Sequence, residues 1–388
     1  MHLTSEEEKI FNGELGWAYH VSMRILVRLG ELFGATELIP IQSAHISGVS
    51  YKTLGDAPID FLEALVVAGG KVQVTSSVNP SSFDPEYLAK RFPQDYLKKQ
   101  LRVIELYKKM GANPTLTCAP YYLGQPQPGC HLAWSESSAV IYANSVLGSW
   151  TNREGGPSAL AAALVGRTPN YGIHRPENRE ANILIRVESL LRNETDFGAL
   201  GIHVGKLLKN EIPVFKGLGN YTEADLKQLG AGLASSGMTT MFHYQETGKK
   251  GKLERVSVET NDIENTTKNL STSSDSPEMI FIGCPHCSLR EIQRVAQALR
   301  GKKVKKDTEL WVCSSSHVRE NAETCVNIIE GAGGHVLCNT CAIVTWIKKL
   351  GIDTIMTNSA KTAYYAPTLN EVNVALAPMT KCIEEACE

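Results

Sequence analysis

The sequence predicts an α/β fold. Short apolar runs alternate with polar loops and amphipathic stretches along most of the chain. After residue 277 the alternation settles into a regular βα rhythm, as in a parallel sheet with helices on both faces. One stretch joins both features: Ile280-Phe281-Ile282-Gly283-Cys284-Pro285-His286-Cys287-Ser288-Leu289-Arg290-Glu291. Apolar and small residues run into Cys284. Ser288 and Glu291, three residues apart, then form a capping box for a helix carrying Leu289, Ile292, Val295, Ala296 and Leu299. Cys284 therefore sits between a strand end and a helix start, where free backbone N–H groups favour an anion such as a thiolate.

Taken in order, a helix begins at Ser5–Glu7, breaks near Gly13–Gly16 and resumes from His20 to Phe33. Residues 38–41 read as a strand feeding the small, polar loop 42–51. A helix over 59–68 ends at Gly69-Gly70. A strand over 71–75 then precedes a second polar loop, 76–82. A long helix over 96–110 stops at Gly111, with Pro114 beyond it. Residues 115–122 read as a short strand ending in Cys118. Trp134 to Val146 and Ala159 to Val165 read as helices. From 245 to 277 polar residues dominate, apart from a strand-like patch at 256–258, and a domain boundary belongs there. Beyond it, strands near 280, 309–312, 335–337 and 354–356 alternate with helices near 288–299, 318–330 and 343–350. No exact repeat is present.

The chain has 388 residues, 43% of them hydrophobic and 21% charged, with a net charge of −2. That balance gives no support for bulk electrostatic binding to nucleic acid or a membrane surface. No apolar run approaches the roughly 18 residues of a membrane span, and the acidic start lacks a signal-peptide core. A cytoplasmic location is the expectation. Ten cysteines in such a chain point to metal or redox chemistry in preference to disulfides.

Two C-x-x-C pairs stand out, Cys284/Cys287 and Cys338/Cys341. A four-cysteine zinc ribbon, in a non-catalytic interaction protein, is one reading. Ribbons, however, separate their pairs by roughly 15–20 residues, whereas two βα units intervene here. A redox dithiol is another, but it needs only one pair. The third is an iron–sulfur cluster held by single cysteines from three strand ends: Cys118, Cys284, and either Cys338 or Cys341. Three ligands leave one iron open to substrate. Cys130, Cys313, Cys325, Cys382 and Cys387 read as small apolar core residues.

Several motifs occur together and in order: Ser43-Ala44-His45-Ile46-Ser47-Gly48, Thr117-Cys118-Ala119-Pro120-Tyr121, Asn144-Ser145-Val146-Leu147-Gly148, Thr151-Asn152-Arg153-Glu154-Gly155-Gly156, Gly283-Cys284-Pro285-His286, Thr340-Cys341-Ala342 and Asn358-Ser359-Ala360-Lys361. In this combination the chain resembles the aconitase X family. The resemblance implies an aconitase-like α/β fold of three domains, with mixed or parallel sheets around a cluster-containing cleft. The boundaries expected here are 1–115, 116–274 and 275–388. It implies an iron–sulfur-dependent hydro-lyase with a 4Fe-4S cluster, isolable as 3Fe-4S, on Cys118, Cys284 and Cys341, and with Cys287 a spectator. Archaeal members dehydrate (R)-5-phosphomevalonate in isoprenoid precursor synthesis; relatives dehydrate cis-3-hydroxy-L-proline. The resemblance also implies a separate small subunit that brings a swivelling domain and the catalytic serine.

Dehydration needs a positioned base and donors for an enolate-like carboxylate. Gly48-Val49-Ser50 offers consecutive N–H groups as an anion nest, or an ordinary turn. Asn79-Pro80 closes the next loop, either to hold a substrate oxygen or as ordinary turn residues. Glu136 is the chosen acid/base. Ser137 and Ser138 either contact substrate or cap the following helix. Asn152 and Arg153 bind substrate or serve as internal wiring, with Arg153 paired to Glu154 or another acid. Ser359 and Lys361 follow a strand, where Lys361 suits a phosphate or carboxylate or is a solvated surface lysine. His45 and His286 read more naturally as hydrogen-bonding neighbours than as bases.

Overall fold

A computed structural model describes residues 1–84, 86–245, 253–273 and 276–388. The chain forms two compact units, Met1–Glu180 and Ala181–Glu388.

In the first unit, helix Ser5–Phe11 starts at a Thr4/Glu7 capping box and is followed by helix Trp17–Leu32. The strands are β1 (Leu38–Pro40), β2 (Ser43–Ile46), β3 (Thr75–Val78), β4 (Leu132–Trp134) and β5 (Arg167–Pro169). β1 pairs antiparallel with β5. β3, β2 and β4 form a parallel sheet in that order. Its register fixes two unlike faces, because side chains alternate along a strand. Ala44, Ile46, Val78 and Ala133 point into a core with Met23, Leu26, Leu160 and Leu164. Ser43, His45, Ser77 and Trp134 line the opposite face.

The two loops expected at 42–51 and 76–82 thus contain β2 and most of β3. Their serines suggested turns, but tertiary pairing overrides propensity in a buried three-stranded sheet. Conversely, residues 113–117 are not a strand. They run beside β3 through Asn113 N to Ser76 O (2.8 Å) and Thr117 N to Val78 O (3.2 Å). Cys118 follows this segment. The boundary expected at 115/116 falls inside the unit, since β4 pairs with β2.

The second unit begins with β6 (Ile183–Val187), helix Glu194–Leu207, β7 (Pro213–Lys216), helix Glu223–Ser236, β8 (Glu254–Val258) and helix Thr260–Leu270. β7, β6 and β8 form a parallel sheet. Gly201 and Gly232 let the first two helices pack backbone to backbone: a Cβ on Gly232 would lie 2.9 Å from Ile202 N. The polar stretch expected as a boundary therefore carries a strand and a helix; the part of it at 246–252 and 274–275 lies outside the described residues.

β9 (Met279–Ile282), β10 (Glu309–Ser314), β11 (His335–Cys338), β12 (Thr354–Thr357) and β13 (Asn373–Leu376) make a second, all-parallel sheet in the order β11-β10-β9-β12-β13. Helices Leu289–Leu299, Ser316–Glu320, Glu323–Gly331, Ala360–Leu369 and Met379–Ala386 complete it. Residues 343–350, expected as a helix, hold only a 3-10 turn at Ile347–Leu350. The chain moves outward from β9 to β11, then returns to the other side of β9 as β12. The strand order reverses between β9 and β12, and the crevice beyond the carboxyl ends of such a pair is where doubly wound sheets bind ligands.

Candidate active site

Two groups of candidate residues are built, one in each unit. In the first unit they hang on the polar face of β2 and β3. His45 Nδ1 lies 2.7 Å from Ser77 Oγ, and its Nε2 lies 2.8 Å from Asn79 Oδ1. Asn79 Nδ2 donates to Glu136 Oε2 at 2.7 Å. This chain fixes every proton. Asn79 uses its NH₂ on the carboxylate, so its carbonyl faces His45 and must accept from Nε2–H. Nδ1 is then the acceptor for the Ser77 hydroxyl. Burial holds the His45 pKa down, at about 4, against the opposing pull of Asn79 and Glu136, so the ring is neutral.

Glu136 is the N-cap of helix Ser137–Tyr142. Its Oε1 accepts from the Ser138 hydroxyl at 3.0 Å, while Ser137 is half-buried beside it. Asn79 and Ser138 thus hold the carboxylate from two sides. Asn79 and Glu136, chosen separately from sequence, are brought together; Pro80 is buried next to them.

The turn at Gly48 has φ +75°. Around it, Ser50 Oγ bonds Ser82 Oγ (2.7 Å), and the amides of Tyr51 and Lys52 donate to Gln100 Oε1 and Ser82 Oγ. Gln100 Nε2 donates to Val49 O. Asn152 acts as a brace, with Nδ2 on Tyr171 O and Oδ1 accepting from Ile173 N, both at 3.0 Å. Glu154 does not pair with Arg153, which is half-buried. Glu154 is buried, its carboxylate is held by the hydroxyls of Ser158 and Thr168, and burial raises its pKa.

In the second unit, Cys284 follows β9, Cys341 lies three residues beyond β11, and Lys361 opens helix Ala360–Leu369 after β12. Ser359 is that helix's N-cap and accepts from Thr362 N at 3.2 Å. Cys284 and Cys341 are buried and in no disulfide. The Cys341 thiol is pushed up, first by burial and then by the charge of Cys284; the Ile343 and Val344 amides and the Lys361 cation pull it down. His286 Nε2–H donates to Thr340 O at 3.0 Å and so ties the two cysteine turns together. Lys361 is buried, unlike a solvated surface lysine.

Cys284 and Cys341 thus offer two buried, unbridged sulfurs on turns that His286 ties together. This donor set fits a soft metal or an iron–sulfur cluster. Among the described residues no group of three or more His, Cys, Asp or Glu side chains gathers as a metal-binding set; Cys118 belongs to the first unit. Cys287 is buried and its thiol is pushed up by burial. Cys313, Cys382 and Cys387 are buried, while Cys130 and Cys325 are half-buried.

Profiles of the aconitase X first, second and third domains match residues 1–177, 181–268 and 277–388. The chain belongs to the aconitase X family. Along the sequence, the first of these aconitase X domains gives way to the second at 177–181, where the two units divide. The phosphomevalonate dehydratase large subunit of Methanocaldococcus jannaschii is 43% identical, over 99% of this chain and 100% of its own. The cis-3-hydroxy-L-proline dehydratase of Hypocrea jecorina is 31% identical, over 100% of this chain and 69% of its own. A crystal structure of Thermococcus kodakaraensis aconitase X in its holo-form superposes with a TM-score of 0.93 at 42% identity, over the full length of both chains.

His45 hydrogen-bonds Ser77 and Asn79, in keeping with its reading from sequence as a hydrogen-bonding neighbour. Sequence reasoning misses Lys227 and Gln228, which matter here. Both lie on helix Glu223–Ser236. Their signal was a lysine in a stretch rich in Gly, Ala and Leu, which buries on every side. No helix among the described residues is long and apolar enough to cross a membrane.

Proposed function

We propose that this chain is the large, catalytic subunit of a phosphomevalonate dehydratase. It removes water from (R)-5-phosphomevalonate to give trans-anhydromevalonate 5-phosphate, in isoprenoid precursor synthesis in the cytoplasm. The observation that carries this is the full-length match to archaeal large subunits, 36–43% identical and covering nearly all of both chains. The hydroxyproline dehydratases stand further off, at 31%.

The chemistry suits the residues. Cys284, Cys341 and Cys118 are the proposed holders of an iron–sulfur cluster. When bound, the cluster supplies a Lewis acid for a poor leaving group, the tertiary hydroxyl. Glu136 exchanges the proton on the adjacent carbon. Its Asn79 and Ser138 bonds keep it aimed, and neutral His45 stops Asn79 from rotating. Lys361, a compact buried cation at the carboxyl end of β12, anchors a phosphate or carboxylate. Gly48-Val49-Ser50, Arg153, Asn152 and Ser359 shape the surrounding polar loops. A small subunit, which the relatives' names as large subunits support, brings a swivelling domain and the catalytic serine.

The test is an anaerobic assay of the chain with its small subunit. Loss of one water from (R)-5-phosphomevalonate, with no turnover of cis-3-hydroxy-L-proline, is expected. Formation of pyrroline-2-carboxylate instead overturns the assignment. A colourless protein holding one tight zinc and turning over neither substrate removes the enzyme reading altogether.

A further inference from the structure

The turn that carries Cys284 is tied down one carbonyl at a time. Gln228 Nε2 donates to Cys284 O at 3.1 Å. Lys227 Nζ donates to His286 O at 3.1 Å and lies 3.5 Å from Pro285 O. Ser314 Oγ donates to Cys287 O at 2.7 Å. Four consecutive carbonyls thus meet side-chain donors, where a turn ordinarily leaves them to water. Lys227 is fully buried, and its charge is balanced by Glu291 Oε2 at 2.6 Å. Glu291 in turn closes the capping box of Ser288, accepting from Ser288 N at 2.8 Å. One ammonium group therefore joins the cysteine turn to the start of the helix that follows it.

Lys227 and Gln228 are neighbours on helix Glu223–Ser236, in the second family domain; the turn lies in the third. A buried lysine is costly, and an apolar pair of the same size would serve stability equally well or better. The geometry points to a different purpose: Lys227 and Gln228 are positioning residues through which the second domain fixes the backbone of the Cys284 turn and hence where that sulfur is presented. This rests on the reading above only in calling Cys284 a ligand. Both act through the backbone carbonyls of the turn.

The test uses the full chain, treated with chelator so that its thiols are free. Cys284 alkylation by iodoacetamide is followed by peptide mass spectrometry, and amide hydrogen exchange is followed over the same turn. Two variants are compared with the parent. Lys227→Met/Glu291→Gln removes both charges but keeps an acceptor for the helix cap. Gln228→Leu removes one neutral hydrogen bond and remains readable should the double variant fail to fold. Cys382, fully buried on helix Met379–Ala386, reports global opening. At least a tenfold rise in Cys284 alkylation and in exchange at 284–287, with Cys382 unchanged, is expected. Cys284 rates within twofold of the parent, or rates that rise only in step with Cys382, overturn the proposal. Free-thiol chemistry is what is read, so the result is independent of whether the chain proves to be a dehydratase.

Discussion

At the scale of single residues, the Ser77–His45–Asn79–Glu136 chain makes two separable predictions. Glu136→Gln keeps the shape of the carboxylate and the Ser138 bond but removes the base. On the proposed reaction kcat should fall by about 10²- to 10⁴-fold, with KM changed only a few-fold; a loss confined to KM would reassign Glu136 to binding. His45 speaks instead to stability. Its ordinary pKa of 6.5 drops to about 4 in the fold. Above 6.5 both folded and unfolded forms are neutral and its contribution is whole. As pH falls from 6.5 through about 4, the unfolded chain takes up the proton first, and the fold loses about 3 kcal/mol. Denaturant titrations between pH 7 and 4 should therefore show a steeper decline for the parent than for His45→Gln. Parallel curves would mean that folding leaves the His45 pKa unshifted.

At the scale of elements, the Cys284 turn depends on close backbone approach. Gly283 has φ +113°, and a Cβ there would run into the carbonyl and amide of Cys313. Neither can retreat, because both belong to central strand β10. Gly283→Ala should cost about 3 kcal/mol or more in urea melts of the full chain; a cost below about 1 kcal/mol would show the turn is softer than drawn. This element was also the most legible part of the sequence. The apolar run into Cys284 and the Ser288/Glu291 box both appear as read, since their signals are local. β2 and β3 were not legible. Ser43, Ser76 and Ser77 look like loop residues, and only the register against β4 shows why one face of the sheet is polar. Asn79 and Glu136 could each be nominated alone, but nothing in a linear string reveals that a histidine wires one to the other. Helix Thr260–Leu270 was hidden because its polar composition matched that of a linker.

At the scale of the whole molecule, the two units carry different parts of the proposed chemistry: the acid/base chain lies in Met1–Glu180, and the Cys284/Cys341 pair with Lys361 lies in Ala181–Glu388. A ligand that binds only the folded form raises the stability of whatever it binds. At a hundredfold excess over its dissociation constant the gain is about 2.7 kcal/mol. For a cooperative unit of 150–250 residues that shifts the melting temperature by about 5–10 °C. Reconstituting the chain anaerobically with iron and sulfide should therefore raise the transition of the unit holding Cys284 and Cys341, as followed by calorimetry. Chelation should reverse the shift. Cys284→Ser should abolish it, because one of the close thiols is gone, whereas Cys325→Ser, at a half-buried cysteine, should keep it. Cys118→Ser decides whether the first unit takes part: loss of the shift makes it a ligand, and an unchanged shift confines metal binding to the cysteines of the second unit. Identical melting curves with and without iron and sulfide would remove the cluster from this chain, and with it the Lewis acid on which the dehydration depends.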